Sequence, residues 1–536
     1  VGLHFLGLSY TWQKIHQQAL QLAAALQHRG LSKGDRVILF MQNCPHYIVA
    51  LYAVLYTGAV VVPINPMSKA DELEHYLRDT GAAVAIASSD IAHEIAQAHR
   101  VVPAGQSRMA HLAVFDLADG LPDAASPSVQ QWPHLWQTWL LARHTFPKLN
   151  GVEVVPWQEL LSEGHQATPV HVSGGDLALL PYTSGTTGAP KGCMHTHATL
   201  LHNVLAAKYW IDLREGDVQL VAVPMFHITG LVMGLLATVC HGCSMVLLPR
   251  WDRTQAAQAI ASYRVTHWPN IPTMVIDLLA SPDLDHVDLS SLRYIGGGGA
   301  PMPEAVALQL RERFGLEYLE GYGLTETAAP THTNPRGASR RACLGIPYIS
   351  TEARVIDPET LTILAHDEVG EIVVCGPQVF KGYWQQEAAS QAAFVQLEGK
   401  TYFRTGDLGF VDSEGYYTIA DRLKRMINAS GFKVWPAEVE GLLLRHPAVQ
   451  EACVIAMRDA YRGESVKAVV VVKAPYQGTL QAADLMAWAR EHMAVYKAPR
   501  EIEFVTALPH SASGKLMWRV VQAEHDKGQT PTASPL

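Results

Sequence analysis

The sequence predicts an α/β fold. A large N-terminal domain of several subdomains carries mixed, largely parallel sheets flanked by helices, and a small α+β domain follows it. Three observations carry this expectation: helical and strand-like segments alternate from the outset, several short runs are apolar enough to be buried strands, and the character of the chain changes after about residue 421. Ile15, Ala19, Leu22, Ala23 and Leu26 recur at helical spacing with Gly30 as a stop, and DRVILF then reads as a strand. LVAVPM (220–225), SMVLLP (244–249) and EIVVCG (371–376) read as further buried strands, with the helical segment TQAAQAIASY (254–263) between them. Beyond 421 a charged DRLKR segment precedes a strand-like GFKVW, a helix starting near Pro436, and strands around VIAM and KAVVVVK. These make a C-terminal domain of about 110 residues with DRLKR as its linker.

Composition narrows the function. A chain of 536 residues, 48% of them hydrophobic, can bury several cores and reads as soluble and globular. A net charge of −9 without long single-sign runs supplies no field for nucleic acid or an anionic membrane, so a small-molecule partner is expected. Seven scattered cysteines argue against a secreted disulfide framework and fit a reducing cytoplasm. Cys240 and Cys243 have CxxC spacing without a second pair and are expected to be small buried residues near a turn. LYAVLYTGAVVVP and ITGLVMGLLATVC are too short and too Gly-interrupted to span a bilayer. No signal-peptide pattern opens the chain, which starts on Val1 rather than Met and so leaves its native start open. Trp132, Leu135, Trp136, Trp139 and Leu140 fall on one helical face. Packing against their own domain is the first expectation, and a greasy patch near a substrate entrance or membrane surface is the second.

The stretch YTSGTTGAPKG (182–192) gathers glycines, hydroxyls and a lysine, as a phosphate cradle does. It is not a Walker A loop, because Lys191 follows Pro190 and precedes Gly192 instead of Ser or Thr. A flexible lid over a triphosphate fits better. Six further segments follow in order: PMFHITGL (224–231), GGGGAP (296–301), YGLTET (322–327), YFRTGDLG (402–409), DRLKRMINASGFKVWPAEVE (421–440) and HSASGK (510–515). Together they resemble the signature of the adenylate-forming superfamily, in its AMP-forming acyl-CoA synthetase branch, over nearly the whole chain.

The resemblance implies ATP, Mg²⁺ and coenzyme A as the molecules used, and a reaction in two halves. A carboxylate and ATP give acyl-AMP and pyrophosphate, and a thiol then gives a thioester and AMP. It also assigns residues. Thr183, Ser184, Gly185, Thr186, Thr187 and Lys191 would steady the β- and γ-phosphates. Tyr322 and Gly323 would face the adenine, with Gly297, Gly298, Gly299, Ala300 and Pro301 on its other side. Thr325 would bond the α-phosphate, and Glu326 would supply an oxygen ligand to Mg²⁺, a hard cation that takes few carboxylates plus phosphate oxygens. Asp407 would accept both ribose hydroxyls, as an acceptor-only carboxylate can, with Arg422 on the same sugar. Lys515 would bridge the attacking carboxylate and the α-phosphate, where charge converges in the transition state.

His227 stands where the family places an aromatic gate between acyl pocket and thiol path, with Ile228, Thr229, Gly230, Leu231 and Gly297 at the pocket wall. Residues 1–421 would form the N-terminal domain, 422–425 a hinge pivoting on Lys424, and 426–536 a mobile domain. Its rotation would bring Ser430, Gly431 and Phe432 to the pantetheine arm. The glycines at 296–299 suggest room for an extended chain, and no charged residue stands out in the pocket segments, so a medium- or long-chain fatty acid is the expected substrate. Aryl-acid activation and the loading of a carrier protein are the alternatives. A homodimer with peripheral membrane contact completes the expectation.

Overall fold

The computed structural model describes residues 1–528 apart from 104–105, 184–189, 283, 300, 423–424, 426, 430–431, 435, 460–462, 494–496 and 511–515. The chain divides into two compact units. One comprises Val1–Glu352 with Cys375–Phe403, the other Ala353–Val374 with Arg404–Leu536.

The first unit holds two large sheets. One runs in the spatial order His195–Thr196, Leu177–Leu179, Val60–Ile64, Arg36–Phe40, Val84–Ser88, His111–Phe115 and Glu153–Pro156. Arg36–Phe40 is parallel to both neighbours, and its Val37, Ile38, Leu39 and Phe40 are all buried, as a strand covered on both faces requires. The other sheet has a parallel centre, with Ser244–Leu247, Val218–Val221, His267–Asn270, Tyr294–Gly298 and Tyr318–Leu324 running alike. Its margins are antiparallel, at Leu8–Tyr10 on one side and at Ala329–Thr333 and Ile346–Pro347 on the other. The expected strands at 220, 244 and 371 appear as Val218–Val221, Ser244–Leu247 and Gly370–Cys375, and the helix expected at 254–263 as Arg253–Tyr263.

Local chemistry explains the helices. Trp12–His28 starts where the Thr11 hydroxyl accepts from the Lys14 N–H at 3.1 Å, buries Ile15, Ala19, Leu22, Ala23 and Leu26, and is followed by Gly30 at φ +87°. The tryptophan-rich segment forms a helix only from His134 to Leu140. Trp132, Trp136 and Leu140 join the large core of their own unit, whereas Leu135 is 80% exposed. Trp139 donates to Asp90 at 2.7 Å and lies under the Arg250 guanidinium. The first of the two expectations holds for the indoles, whereas Leu135, in the first turn of the helix, faces solvent.

The apolar run after His227 is not an α-helix. Gly230–Leu236 forms a wide π-helix, continued by a short α-turn over Ala237–Cys240. Buried Gln219 reaches into it, its amide nitrogen 2.5 Å from the Met233 carbonyl and 3.3 Å from that of Gly234. A Cβ at Gly230 would sit 2.8 Å from the Val223 carbonyl oxygen and closer still to that of Pro224, so only glycine fits there. Cys243 is buried as expected, but Cys240 is exposed, because it ends the helix at the turn.

In the second unit the C-terminal part is α+β as expected. Gly463–Val472 is the central strand, antiparallel to Val449–Asp459 and to Ile427–Ala429, and parallel to Glu501–Val505. Helices Pro436–Leu443 and Ala482–His492 contribute Val439, Leu443, Leu485 and Ala489 to an apolar core with Val454, Val466, Ala468 and Val470. A second cluster, formed by Cys453, Ile455, Val469 and Val471, takes in Val521 of the helix Trp518–Gly528.

Candidate active site

The base of the glycine-rich loop is a short hairpin in which Thr183 is paired with Lys191. Ser184, Gly185, Thr186 and Thr187 lie outside the described residues. Both flanks are tied to the helix Ala70–Thr80: the Tyr182 hydroxyl donates to the Asp79 carboxylate, and His75 Nε2 is 2.9 Å from the Pro190 carbonyl oxygen.

The turn Thr325–Thr327 is braced from several directions. Buried His195 places Nε2 2.7 Å from the Thr325 carbonyl oxygen, which can only accept, so that nitrogen carries the proton. Burial lowers the His195 pKa to about 4 and keeps the ring neutral. Asn203, fully buried, directs its amide nitrogen at the carbonyls of Thr327 (3.2 Å), Ala328 (2.8 Å) and Pro330 (3.1 Å). These contacts hold Ala328 and Ala329 at φ +50° and +81°, a region that residues with a Cβ rarely adopt.

Glu326 is 8% exposed. Its backbone carbonyl accepts from the Phe380 N–H at 2.8 Å, and its Oε1 accepts from the Tyr383 hydroxyl at 3.0 Å. Burial, then the Glu326 charge, push the Tyr383 phenol pKa up, so it stays a donor. Among the described residues no group of three or more acidic, histidine or cysteine side chains could hold a metal by itself. A single buried, oriented carboxylate instead fits a hard cation such as Mg²⁺ that is carried in with a nucleotide and bound mainly by phosphate oxygens.

Among the residues expected to face adenine, Gly298 is paired with Gly321 in adjacent parallel strands, which brings the glycine run and Tyr322 to the carboxyl ends of the same sheet, the usual ligand edge of such sheets. Tyr322 lies opposite His332, whose ring is 5.8 Å away. Gly299 has φ +92° and, like Pro301 and Gly323, is exposed; Ala300 lies outside the described residues. The sequence leads us to expect that the glycines leave room for an extended chain, but at 296–298 they do not. A Cβ at Gly296 would lie 2.6 Å from the Leu319 carbonyl oxygen, and those at Gly297 and Gly298 would collide with the carbonyls of Asn270 and Gly321. Close strand approach is what demands glycine at 296–298.

Among the residues expected at the acyl pocket, His227 is exposed and its Nδ1 accepts from the Thr229 N–H at 3.3 Å. Ile228, Gly230 and Leu231 are buried at the start of the π-helix, and Thr229 is partly buried.

In the second unit Asp407 is fully buried and lies opposite Arg422 in an antiparallel ladder; the Arg422 side chain is outside the described residues. Glu371 fixes the approach to Asp407, taking Arg404 at 2.6 Å and the Gly406 N–H at 3.0 Å, while the Thr405 hydroxyl accepts from the Asp407 N–H at 3.1 Å. The strands Ile427–Ala429 and Phe432–Val434 form a hairpin with Ala429 paired to Phe432. Ser430 and Gly431 between them, the Phe432 side chain and Lys424 lie outside the described residues. Lys515 does too, although the flanks of its segment meet, with His510 bridged to Leu516 and the Met517 N–H donating to the Pro509 carbonyl at 2.8 Å.

Sequence reasoning missed His195, Asn203, Phe380 and Tyr383. None belongs to the segments that announce nucleotide chemistry, and Tyr383 lies 57 residues from the carboxylate it supports. Only a buried polar type in an apolar setting could have marked His195 or Asn203.

Two family models match the chain: AMP-binding enzyme over residues 3–384 and AMP-binding enzyme C-terminal domain over residues 438–515. A long-chain-fatty-acid–CoA ligase of Bacillus subtilis (strain 168) is 37% identical over 97% of this chain and 90% of its own length. A feruloyl-CoA synthase of an Amycolatopsis species is 34% identical over 95% of this chain and 93% of its own. The solved structure of ATP-bound MatB from Rhodopseudomonas palustris superposes with a TM-score of 0.82 at 26% identity, covering 99% of this chain and 96% of that one. The ordered motifs, the α/β architecture with its small C-terminal part and these full-length likenesses agree: the chain belongs to the AMP-binding enzyme family, as an adenylate-forming acyl-CoA synthetase that uses ATP, Mg²⁺ and coenzyme A.

Proposed function

We propose that the acid activated is a medium- or long-chain fatty acid. The observation that carries this reading is the apolar segment beyond His227, where Ile228, Leu231, Val232, Met233 and Leu235 are buried and no ionised side chain occurs from 228 to 236. The similarity to a long-chain-fatty-acid–CoA ligase supports it. A second reading, an aryl acid, is favoured by the similarity to feruloyl-CoA synthase. Loading of a carrier protein in place of coenzyme A is the remaining alternative.

In the proposed mechanism a carboxylate oxygen attacks the α-phosphorus and pyrophosphate leaves. Lys515 offsets the two converging negative charges, and Thr325 holds the α-phosphate. Lys191, with Thr183, Ser184, Gly185, Thr186 and Thr187, steadies the departing phosphates. Glu326 would hold Mg²⁺, whose contribution is to neutralise phosphate charge. Tyr322 and Gly323, with Gly298, Gly299, Ala300 and Pro301, bind the adenine, and Asp407 with Arg422 the ribose. Rotation about Lys424 between residues 1–421 and 426–536 then exchanges Lys515 for Ser430, Gly431 and Phe432. Past the His227 gate, the thiolate attacks the acyl carbon and AMP leaves.

We place the enzyme in the cytoplasm as a homodimer with peripheral membrane contact. No helix among the described residues is long and apolar enough to cross a membrane. Sedimentation of the full chain with and without lipid vesicles checks the dimer and the membrane contact. The substrate is tested by CoA-dependent AMP release over straight-chain acids of increasing length, with benzoate and coumarate. A sharp optimum among aliphatic acids is the expected result, and turnover of coumarate alone would overturn it.

A further inference from the structure

The segment Phe380–Trp384 belongs to neither the glycine-rich loop nor the Thr-Glu turn, yet it is bonded to both. The Phe380 N–H donates to the Glu326 carbonyl at 2.8 Å. From there the chain runs antiparallel to the exit of the glycine-rich loop: Lys381 N–H donates to Met194 at 2.9 Å, Met194 N–H to Gly382 at 3.0 Å, and Trp384 N–H to Gly192 at 2.8 Å. Tyr383 is bridged to Cys193 in that ladder, and its own N–H donates to the Ser390 hydroxyl at 2.8 Å. Its backbone is therefore held on both sides. Its hydroxyl meets Glu326 Oε1 at 3.0 Å while the Lys191 ammonium stands over the ring, 5.0 Å from its centre.

We infer that Tyr383 is a positioning residue for adenylation, its hydroxyl orienting Glu326 toward the nucleotide-bound divalent cation and its ring seating Lys191 for the phosphates. The inference rests on the reading of Glu326 as the cation's ligand. A phenol that donates to one carboxylate oxygen helps to fix the plane of the carboxylate and so the direction it presents to a cation. A ring face stabilises an ammonium at this distance and limits where its long stem can point. One side chain thus sets the spacing between the positive and negative groups that a metal–triphosphate must fit.

The test is a titration of Mn²⁺ into the full-length enzyme with ATP and without acid or coenzyme A, the free ion being read by electron paramagnetic resonance. Tyr383→Phe removes the hydroxyl and keeps the ring, so Mn²⁺ affinity falls about tenfold while ATP affinity at saturating Mn²⁺ stays within about twofold of the parent. Glu326→Gln weakens Mn²⁺ at least as much, and the double variant is no weaker than Glu326→Gln alone, because the hydroxyl acts through that carboxylate. Tyr383→Leu, which also removes the ring, adds a loss of ATP affinity at saturating Mn²⁺.

If Glu326→Gln weakens Mn²⁺ and Tyr383→Phe does not, the inference falls while the metal reading stands. If Glu326→Gln binds Mn²⁺ like the parent, the metal reading falls and takes the inference with it. Additive losses in the double variant, in step with a lowered melting temperature, would assign Tyr383 a structural role only. Equal ATP affinity in Tyr383→Phe and Tyr383→Leu would overturn the seating of Lys191.

Discussion

The Thr325–Thr327 turn and the Gly230–Leu236 π-helix are both irregular backbone next to proposed substrate, but they are stabilised in opposite ways. At the turn, His195, Asn203, the Phe380 N–H and Tyr383 each make a directed hydrogen bond, and two alanines are held at positive φ. At the π-helix the partners are apolar: Leu231, Val232, Met233 and Leu235 sit in the large core, and Gln219 is the side chain that meets the Met233 carbonyl. Charge has to be placed to within a fraction of an ångström, which needs directional bonds, whereas a hydrocarbon chain needs only shape and dryness. The first region should therefore be sensitive to pH and to polar substitution, and the second to volume.

The largest expected effect comes from acid. Folded His195 has a pKa of about 4 against about 6.5 in the unfolded chain, so the unfolded state binds more protons between these values. The stability of the neutral ring is fully present above pH 6.5 and is lost as pH falls toward 4, by roughly 3 kcal/mol for this residue. Burial lowers His332, beside Tyr322, to about 3, which adds a loss of the same sign. Urea unfolding from pH 7 to 4.5 measures the slope. His195→Gln, which keeps an amide donor for Thr325, should flatten it, and an unchanged slope would show that the bracing of the turn does not depend on a neutral imidazole.

Glu326→Gln comes next. On the proposed role of Glu326 as the ligand of the nucleotide's Mg²⁺, it should lower pyrophosphate release about a hundredfold, because an amide cannot replace the charge of a carboxylate. Loss of function without loss of stability would set this residue apart from its braces.

Asn203→Ala leaves the carbonyls of Thr327, Ala328 and Pro330 without their shared donor, at a cost of about 2 kcal/mol in unfolding free energy. The same change should also slow adenylation by loosening the turn. Gln219→Leu, the matching change under the π-helix, should cost only about 1 kcal/mol, since an apolar side chain of similar volume suits that setting. A larger loss at Gln219 than at Asn203 in a urea titration would erase the contrast.

Much of the fold was legible because it rests on periodicity and local chemistry. Val37–Phe40 is apolar throughout because parallel neighbours and packed cores cover both faces, and Trp12–His28 carries its apolar stripe and following glycine in plain view. The candidate site could be proposed from sequence where residue types suggest phosphate or sugar chemistry, as at Lys191, Glu326 and Asp407, and the structure adds that Glu326 and Asp407 are buried. It was misread where a type serves two ends: the run at 296–299 suggested space, but at 296–298 glycine answers the carbonyls of neighbouring strands, which no local window contains.

By itself the sequence determined the α/β class and the order of the motifs, because those follow from composition and spacing along the chain. Tertiary structure alone decided that Tyr383 stands between Lys191 and Glu326, and that His195 and Asn203 hold the turn. The physical reason is that hydrogen bonds between groups far apart in sequence depend on where strands end and which segments pair. That information belongs to the register of the ladders, and no stretch of residues carries it.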